Sequence, residues 1–216
     1  ADLQKVDVKK FLEASAVAAL RTWAERDGNY LPLDPYEAYA NGTAKDLDFI
    51  QGCNKDEVNY FVYGFTVDGY NAWAAGRKEQ KLAQLSDEEK GLVESFCRDI
   101  KGESYENTSR LFDQIVFIAP LFRLSENQTK AGGKSYTYFF TPESSIPVMR
   151  CGHAVELATV LNHPENTGYT GRAFDETFSK TMRKMWVQFA KTGDPSLSAD
   201  ISPDGKAKEW PLYDLE

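Results

Sequence analysis

The sequence predicts an α/β fold, with helices inserted between sheet strands. Two runs carry strand chemistry: Leu47–Cys53 (LDFIQGC) and KSYTYFF at 134–140. Between them lie about eighty mostly helical residues, so the chain alternates element types as an α/β domain does. The composition is that of a folded domain, with 42% hydrophobic and 27% charged residues among 216.

Taken in order, residues 7–26 are expected to form a helix. Val8, Phe11, Leu12, Ser15, Ala16, Ala19 and Leu20 share one face, and Asp27-Gly28-Asn29 ends it. Residues 27–46 read as a long loop, with turn chemistry in LPLDP and in Asn41-Gly42. In the first strand, Phe49 and Ile50 favour extended backbone, and Gly52 marks a close approach or a bend. Residues 69–131 read as helical with breaks. Ser86 and Glu89 have capping-box spacing ahead of GLVESFCRDI, and Pro120 bends or ends a helical stretch spanning 108–124. Gly132-Gly133 opens the second strand, whose aromatic and polar residues alternate. A short helix is expected over 154–162. The last long helix carries a stripe of Phe174, Phe178, Met182, Met185, Trp186 and Phe189, and stops at Lys191-Thr192-Gly193. EWPLYD reads as a short extended segment.

Lys and Arg number 25 against 33 Asp and Glu, a net charge of −8. Nucleic-acid binding is therefore not expected, since such proteins carry basic patches. No apolar run approaches the roughly 20 residues of a membrane-spanning helix. Ile115–Phe122, the longest, has eight residues and includes Pro120. The polar start, ADLQKVDVKK, lacks a signal-peptide core, so the expectation is a soluble protein, either cytoplasmic or secreted after leader removal. Cys53, Cys97 and Cys151 form neither a disulfide framework nor a zinc site, which favours a reducing compartment. Sequons at Asn41, Asn107 and Asn127 are glycosylation acceptors only in a eukaryotic secretory protein.

Two histidines limit the acid–base chemistry. His163 lies in the turn-like NHPENTG and reads as a surface residue. His153 follows the second strand, where loops of α/β enzymes form sites. Asp56 and Glu57 follow the first strand, so an acid and a histidine can meet at one sheet edge. A carboxylate there would fix the imidazole tautomer, as in a Ser-His-acid triad. Equally, Asp56 and Glu57 suit an exposed loop or a helix N-terminus. Phe61, Tyr63, Phe65, Tyr70 and Trp73 are expected in the core, with a pocket lining as the alternative.

Five segments, in order, resemble the type-B carboxylesterases, the group that includes cholinesterases and bacterial para-nitrobenzyl esterases. GCNKDEVNYF resembles the acid-bearing segment and CGHAVEL the histidine segment. MWVQFAKTGDPS with WPLYD is similar to the C-terminal signature. LPLDPYEAYANGTAKDLDFIQG and KSYTYFF resemble the stretches ahead of the acid and of the histidine. The resemblance implies the C-terminal portion of an α/β-hydrolase fold, with residues 1–216 as half of a single domain. It implies His153 as general base, Glu57 as triad acid, Asp56 as its neighbour, and Glu156 as a supporting glutamate. As an alternative, Glu156 is a satisfied helix-start carboxylate. Trp186 and Phe189 match packing residues, and Asp194 a turn. Ala154 stands where Gly is common, which puts the geometry of that turn in question.

The larger departure is the nucleophile. Neither a Gly-Glu-Ser-Ala-Gly elbow nor a Gly-rich oxyanion loop occurs in the chain. GESYE at 102–106 imitates the elbow, but Glu106 replaces its last small residue and no strand precedes Ser104. The resemblance therefore implies a serine esterase active only with an N-terminal half that carries the serine and oxyanion hole. It implies a small-molecule ester substrate and needs no cofactor or metal. The alternatives are a catalytically silent adhesion-type member of the same fold and an isolated inactive fragment.

Overall fold

The computed structural model describes residues 3–18, 24, 26–32, 34–64, 66–100 and 104–215, with the side chains of Leu3, Val67, Tyr70, Ser104 and Tyr105 outside that description. α1 (Val8–Val17) begins at Asp7, whose carboxylate accepts the Lys10 N–H at 3.1 Å. It is shorter than the helix expected over 7–26. Val8, Leu12 and Val17 on it are exposed, and a helix without a packed face propagates poorly. Ala19 and Leu20 lie outside the described residues. α2 (Pro35–Ala40) corrects the loop expected over 27–46. Asp34 caps it by accepting the Tyr36 N–H at 2.8 Å and Pro35 fills its first turn, so LPLDP is a helix start.

β1 (Asp48–Asn54) leads through a 3₁₀ turn (Glu57–Phe61) to α3 (Val67–Leu82) and α4 (Asp87–Asp99). The expected capping box is present, with the Ser86 N–H donating to Glu89 and the Glu89 N–H to Ser86. Then α5 (Ser104–Phe112), a π-helical stretch (Asp113–Ile118) and α6 (Ala119–Lys130) run on end to end. Pro120 sits in the first turn of α6, directly after the wide turn, where its missing N–H and its ring are accommodated.

β2 (Lys134–Phe140) occupies the expected residues. α7 (Leu157–Val160) is shorter than the helix expected over 154–162, because Ala154 (φ +69°) and Asn162 (φ +61°) are left-handed and cannot continue a right-handed helix. α8 (Glu176–Thr192) starts at Asp175, which accepts the Phe178 N–H, and stops at Gly193 with φ +76°.

The two strands are parallel, from Asp48 opposite Lys134 to Asn54 opposite Phe140. Residues 55–133 make the crossover that a parallel pair requires. Strand alternation gives the sheet two distinct faces. Tyr136, Tyr138 and Phe140 face α8, meeting Phe189, Trp186 and Phe178 with ring centroids 5.1–6.0 Å apart. Cys151, Val155 and Met182 join Phe140 in the core there. On the opposite face, Ser135 and Thr137 hydrogen-bond with Ser125 of α6. The Tyr138 ring crosses β1 at Gly52, where a Cβ would stand 2.3 Å from ring carbons, the close approach read from the sequence.

The sheet edges differ. Along β2, the Tyr213 N–H donates to the Ser135 carbonyl (2.8 Å) and Trp210 Nε1 to the Thr137 carbonyl (3.1 Å). EWPLYD thus covers that edge without forming a strand. Along β1, ladder alternation turns the peptide groups of Ile50 and Gly52 away from β2, where they meet no hydrogen-bond partner among the described residues.

Candidate active site

The loops leaving the C-terminal ends of β1 and β2 are joined by backbone hydrogen bonds. The Lys55 N–H donates to the Phe140 carbonyl (2.9 Å), the Asp56 N–H to that of Cys151 (3.0 Å) and the His153 N–H to that of Glu57 (3.1 Å). Gly152 makes the approach possible, since a Cβ there would stand 2.6 Å from the Met149 sulfur and 2.9 Å from its carbonyl oxygen. Ala154, at φ +69°, bears the strain that a glycine would avoid.

Glu57 is 4% exposed. Its Oε1 accepts the Asn54 N–H (2.7 Å), and its Oε2 lies 2.6 Å from His153 Nδ1. Beside a carboxylate, Nδ1 carries the proton and donates it, which leaves Nε2 as the basic nitrogen. Phe61 stacks on the imidazole with centroids 5.6 Å apart, and Phe117 and Tyr60 approach it at 5.7 and 5.8 Å. Asn54 Nδ2 donates to the Gly152 carbonyl (2.9 Å) and to Glu156 Oε2 (2.5 Å). The hydrogen bond donated to Glu57 raises the His153 pKa from its ordinary value, against burial, and the charges of Glu57 and Glu156 act the same way.

Asp113, at the head of the π-helical stretch, is 2% exposed and accepts the Val58 N–H at 2.8 Å. Its carboxyl is pushed up to about 7, first by burial and then by the charges of Asp56 and Glu57. The Val58 N–H and Arg110 oppose the shift. An acid raised from 3.8 binds its proton more tightly when folded, so it favours folding below its unfolded pKa and loses that contribution as pH rises through about 7. Asp113→Asn is therefore expected to gain Tm relative to the wild-type protein as pH rises from about 4 to above 7. Differential scanning calorimetry across that range checks it, and a pH-independent Tm difference would contradict it.

His153 forms part of the wall of an apolar cavity of about 420 Å³, lined by Val58, Phe61, Trp73, Phe112 and Phe117. A polar cavity of about 240 Å³ lies on the other side of the acid turn, lined by Asp56, Asn59, Ser109, Asp113 and Arg150. Among the described residues no group of His, Cys, Asp and Glu could hold a metal ion. Burial first, then nearby acids, push the Cys53 thiol up to about 12. Burial likewise pushes Cys151 up to about 12, so neither supplies a thiolate near neutral pH.

The structure thus brings Glu57 and His153 together and keeps the other candidates apart. Asp56 is buried and faces the polar cavity, where it accepts the Cys151 N–H (3.4 Å) and lies 4.0 Å from Arg150 Nε. Neither acid occupies the exposed loop considered from the sequence. Glu156 reaches the site through Asn54. His163 is exposed, with Nδ1 3.0 Å from Glu165. Asp194 accepts the Ser196 N–H in the turn after α8. Ser104 opens α5, but its side chain lies outside the described residues. The aromatic group corrects the expectation of a core. Phe61 is 50% exposed and Tyr63 37%, while Phe61 and Trp73 line the apolar cavity. Phe65 and the Tyr70 side chain lie outside the described residues. Asn54, Asp113 and Phe117 had no signal of their own in the sequence.

Comparison with known proteins gives these features a family. The model of the carboxylesterase family matches residues 2–216. Bile salt-activated lipase of Bos taurus is 33% identical over 211 residues, covering 88% of this chain and 34% of that protein. The human bile salt-activated lipase is 30% identical, covering 88% and 27%. Acetylcholinesterase of Bungarus fasciatus is 26% identical, covering 87% and 33%. The chain therefore spans about a third of the length of these relatives. A carboxylesterase of Geobacillus stearothermophilus, in its structure at pH 6.2, superposes with a TM-score of 0.76 at 22% identity, covering 98% of this chain and 44% of that one. The architecture is part of an α/β-hydrolase fold. No described helix is long and apolar enough to cross a membrane. With the family model matched over nearly every residue, the chain belongs to the carboxylesterase family.

Proposed function

We propose that residues 1–216 are the C-terminal half of a single α/β-hydrolase domain that hydrolyses carboxylic esters, with His153 as general base and Glu57 as the acid of a Ser-His-Glu triad. The serine and the oxyanion donors belong to an N-terminal half of the same esterase, outside this chain. The 2.6 Å contact between Glu57 Oε2 and His153 Nδ1 carries the proposal. It orients the ring and makes Nε2 the acceptor. The edge of β1 that meets no partner among the described residues supports a partner strand from that other half, since uncovered edges invite pairing.

In this reading His153 Nε2 takes the serine proton as the hydroxyl oxygen attacks the ester carbonyl. Glu57 holds the resulting imidazolium. His153 then passes the proton to the departing alcohol, leaving an acyl-serine. Water, deprotonated by the same nitrogen, attacks the acyl carbon and releases the acid. Glu156 steadies the loop through Asn54, and Asp56 ties the acid turn to the histidine loop. No cofactor takes part. The apolar cavity beside His153 suits an ester with an apolar acyl or alcohol group.

The base works only when neutral, and its pKa lies above 6.5. The acid limb of kcat/KM is therefore expected to have its midpoint above 6.5, with activity falling as pH drops through it. A kcat/KM that does not fall as pH drops through the histidine range would remove His153 from this role. A fluorophosphonate probe on the complete protein tests the reading as a whole. Labelling of one serine outside this chain, lost in His153→Ala, supports the esterase; no labelling assigns the chain to a silent binding member.

A further inference from the structure

The geometry points to Asp113 as a positioning residue that fixes Glu57 against His153 by holding the backbone of the acid turn from a separate element. The inference rests on the triad reading above. The 3₁₀ turn begins at Glu57, so its first N–H groups lack partners within the turn. The residue at the ordinary capping position, Asp56, makes no side-chain capping hydrogen bond. Its carboxylate is committed to the Cys151 N–H instead. Asp113 supplies the acceptor that is missing locally, taking the Val58 N–H at 2.8 Å across 55 positions of sequence.

The same π-helical stretch reaches the other half of the pair. Phe117 lies four residues after Asp113 and packs on the His153 ring at 5.7 Å. One helical stretch therefore contacts the residue that follows the acid and the face of the base. π-helical turns occur often at functional sites. Asp113 Oδ2 is buried with no hydrogen-bond partner among the described residues, so Oδ1 is the atom that does the holding. The charged groups around it are Asp56 and Glu57 on the turn, Glu106 and Arg110 on α5, and Arg150 across the polar cavity.

The test compares Asp113→Ala, which removes the acceptor, with Asp113→Asn, which keeps an oxygen in place. Both are made in the complete protein. The His153 ring titration is followed by NMR and assigned by its loss in His153→Ala. In Asp113→Ala the Glu57 hydrogen bond weakens, and the His153 pKa is expected to fall below its wild-type value. The kcat for ester hydrolysis is expected to fall about 10- to 100-fold with KM little changed, the cost of a small misplacement. Asp113→Asn is expected to recover most of both. If the alanine variant does not fold, Asp113→Ser, whose hydroxyl stops short of the Val58 N–H, takes its place. A folded acceptor-lacking variant with wild-type His153 titration would overturn the inference, as would an asparagine variant no better than it. Because the titration needs no turnover, it remains readable in a protein that hydrolyses no ester, which separates failure here from failure of the triad reading.

Discussion

His153→Ala in the complete protein is expected to reduce ester turnover by about 10³–10⁶-fold while leaving the fold intact. The loss is large because the proposed mechanism asks one nitrogen to do three things: accept the serine proton, protonate the leaving alcohol and activate water. The fold should survive because the His153 side chain is 46% exposed and the core cluster of Phe140, Cys151, Val155 and Met182 does not include it. Removing the ring costs contacts with Phe61 and Phe117 at a cavity wall. Turnover measured alongside circular dichroism separates the two effects. Activity within about tenfold of wild type would exclude His153 as the base, since triad histidines contribute far more.

Glu57→Gln is expected to lower turnover by about 10²–10⁴-fold, less than loss of the base. The substitution preserves shape, so its effect lies in the direction of the hydrogen bonds. Oε1 of Glu57 accepts the Asn54 N–H, which a glutamine satisfies with its carbonyl oxygen. The amide nitrogen then faces His153 Nδ1 and donates to it. Nδ1 becomes an acceptor, the ring proton moves to Nε2, and the nitrogen facing the serine can no longer take a proton. The charge that stabilised the imidazolium is lost as well, so the His153 pKa is expected to drop. Steady-state kinetics with an NMR titration of His153 checks both parts. Unchanged turnover in the folded variant would place the triad acid elsewhere, and buried Asp56 would be the next residue to test.

The strands and the meeting of Glu57 with His153 were legible because their signals are local. KSYTYFF alternates over seven residues, and Glu57 and His153 each follow a strand that could be read directly. The elements that were missed depend on packing or on single residues. α1 is shorter than expected because no described residue buries its apolar side, and periodicity does not report whether a partner is present. α2 was hidden because Asp34-Pro35 serves equally as a turn and as a helix start. α7 is cut short by left-handed backbone at Ala154, a residue with no preference for it. Asp113 and Asn54 act through backbone groups far away in sequence, and a lone Asp in a helical run resembles any solvated acid. The aromatics after Glu57 looked like core because aromatic density usually marks burial, whereas here two of them line a cavity.

The parallel pairing of β1 and β2 also has a consequence for how the site is made. Ninety-six positions separate Glu57 from His153. At about 5–20 residues per second of synthesis, Glu57 leaves the ribosome some 5–20 s before His153. Until residues 134–140 have followed, β1 has no β2 to pair with, while any strand made earlier is already on hand. Order of synthesis therefore favours pairing at the outer edge of β1, at Ile50 and Gly52, ahead of closure with β2. The contact between Glu57 and His153 forms only after β2 is made, and a ribosome stalled within the crossover would leave Glu57 without it.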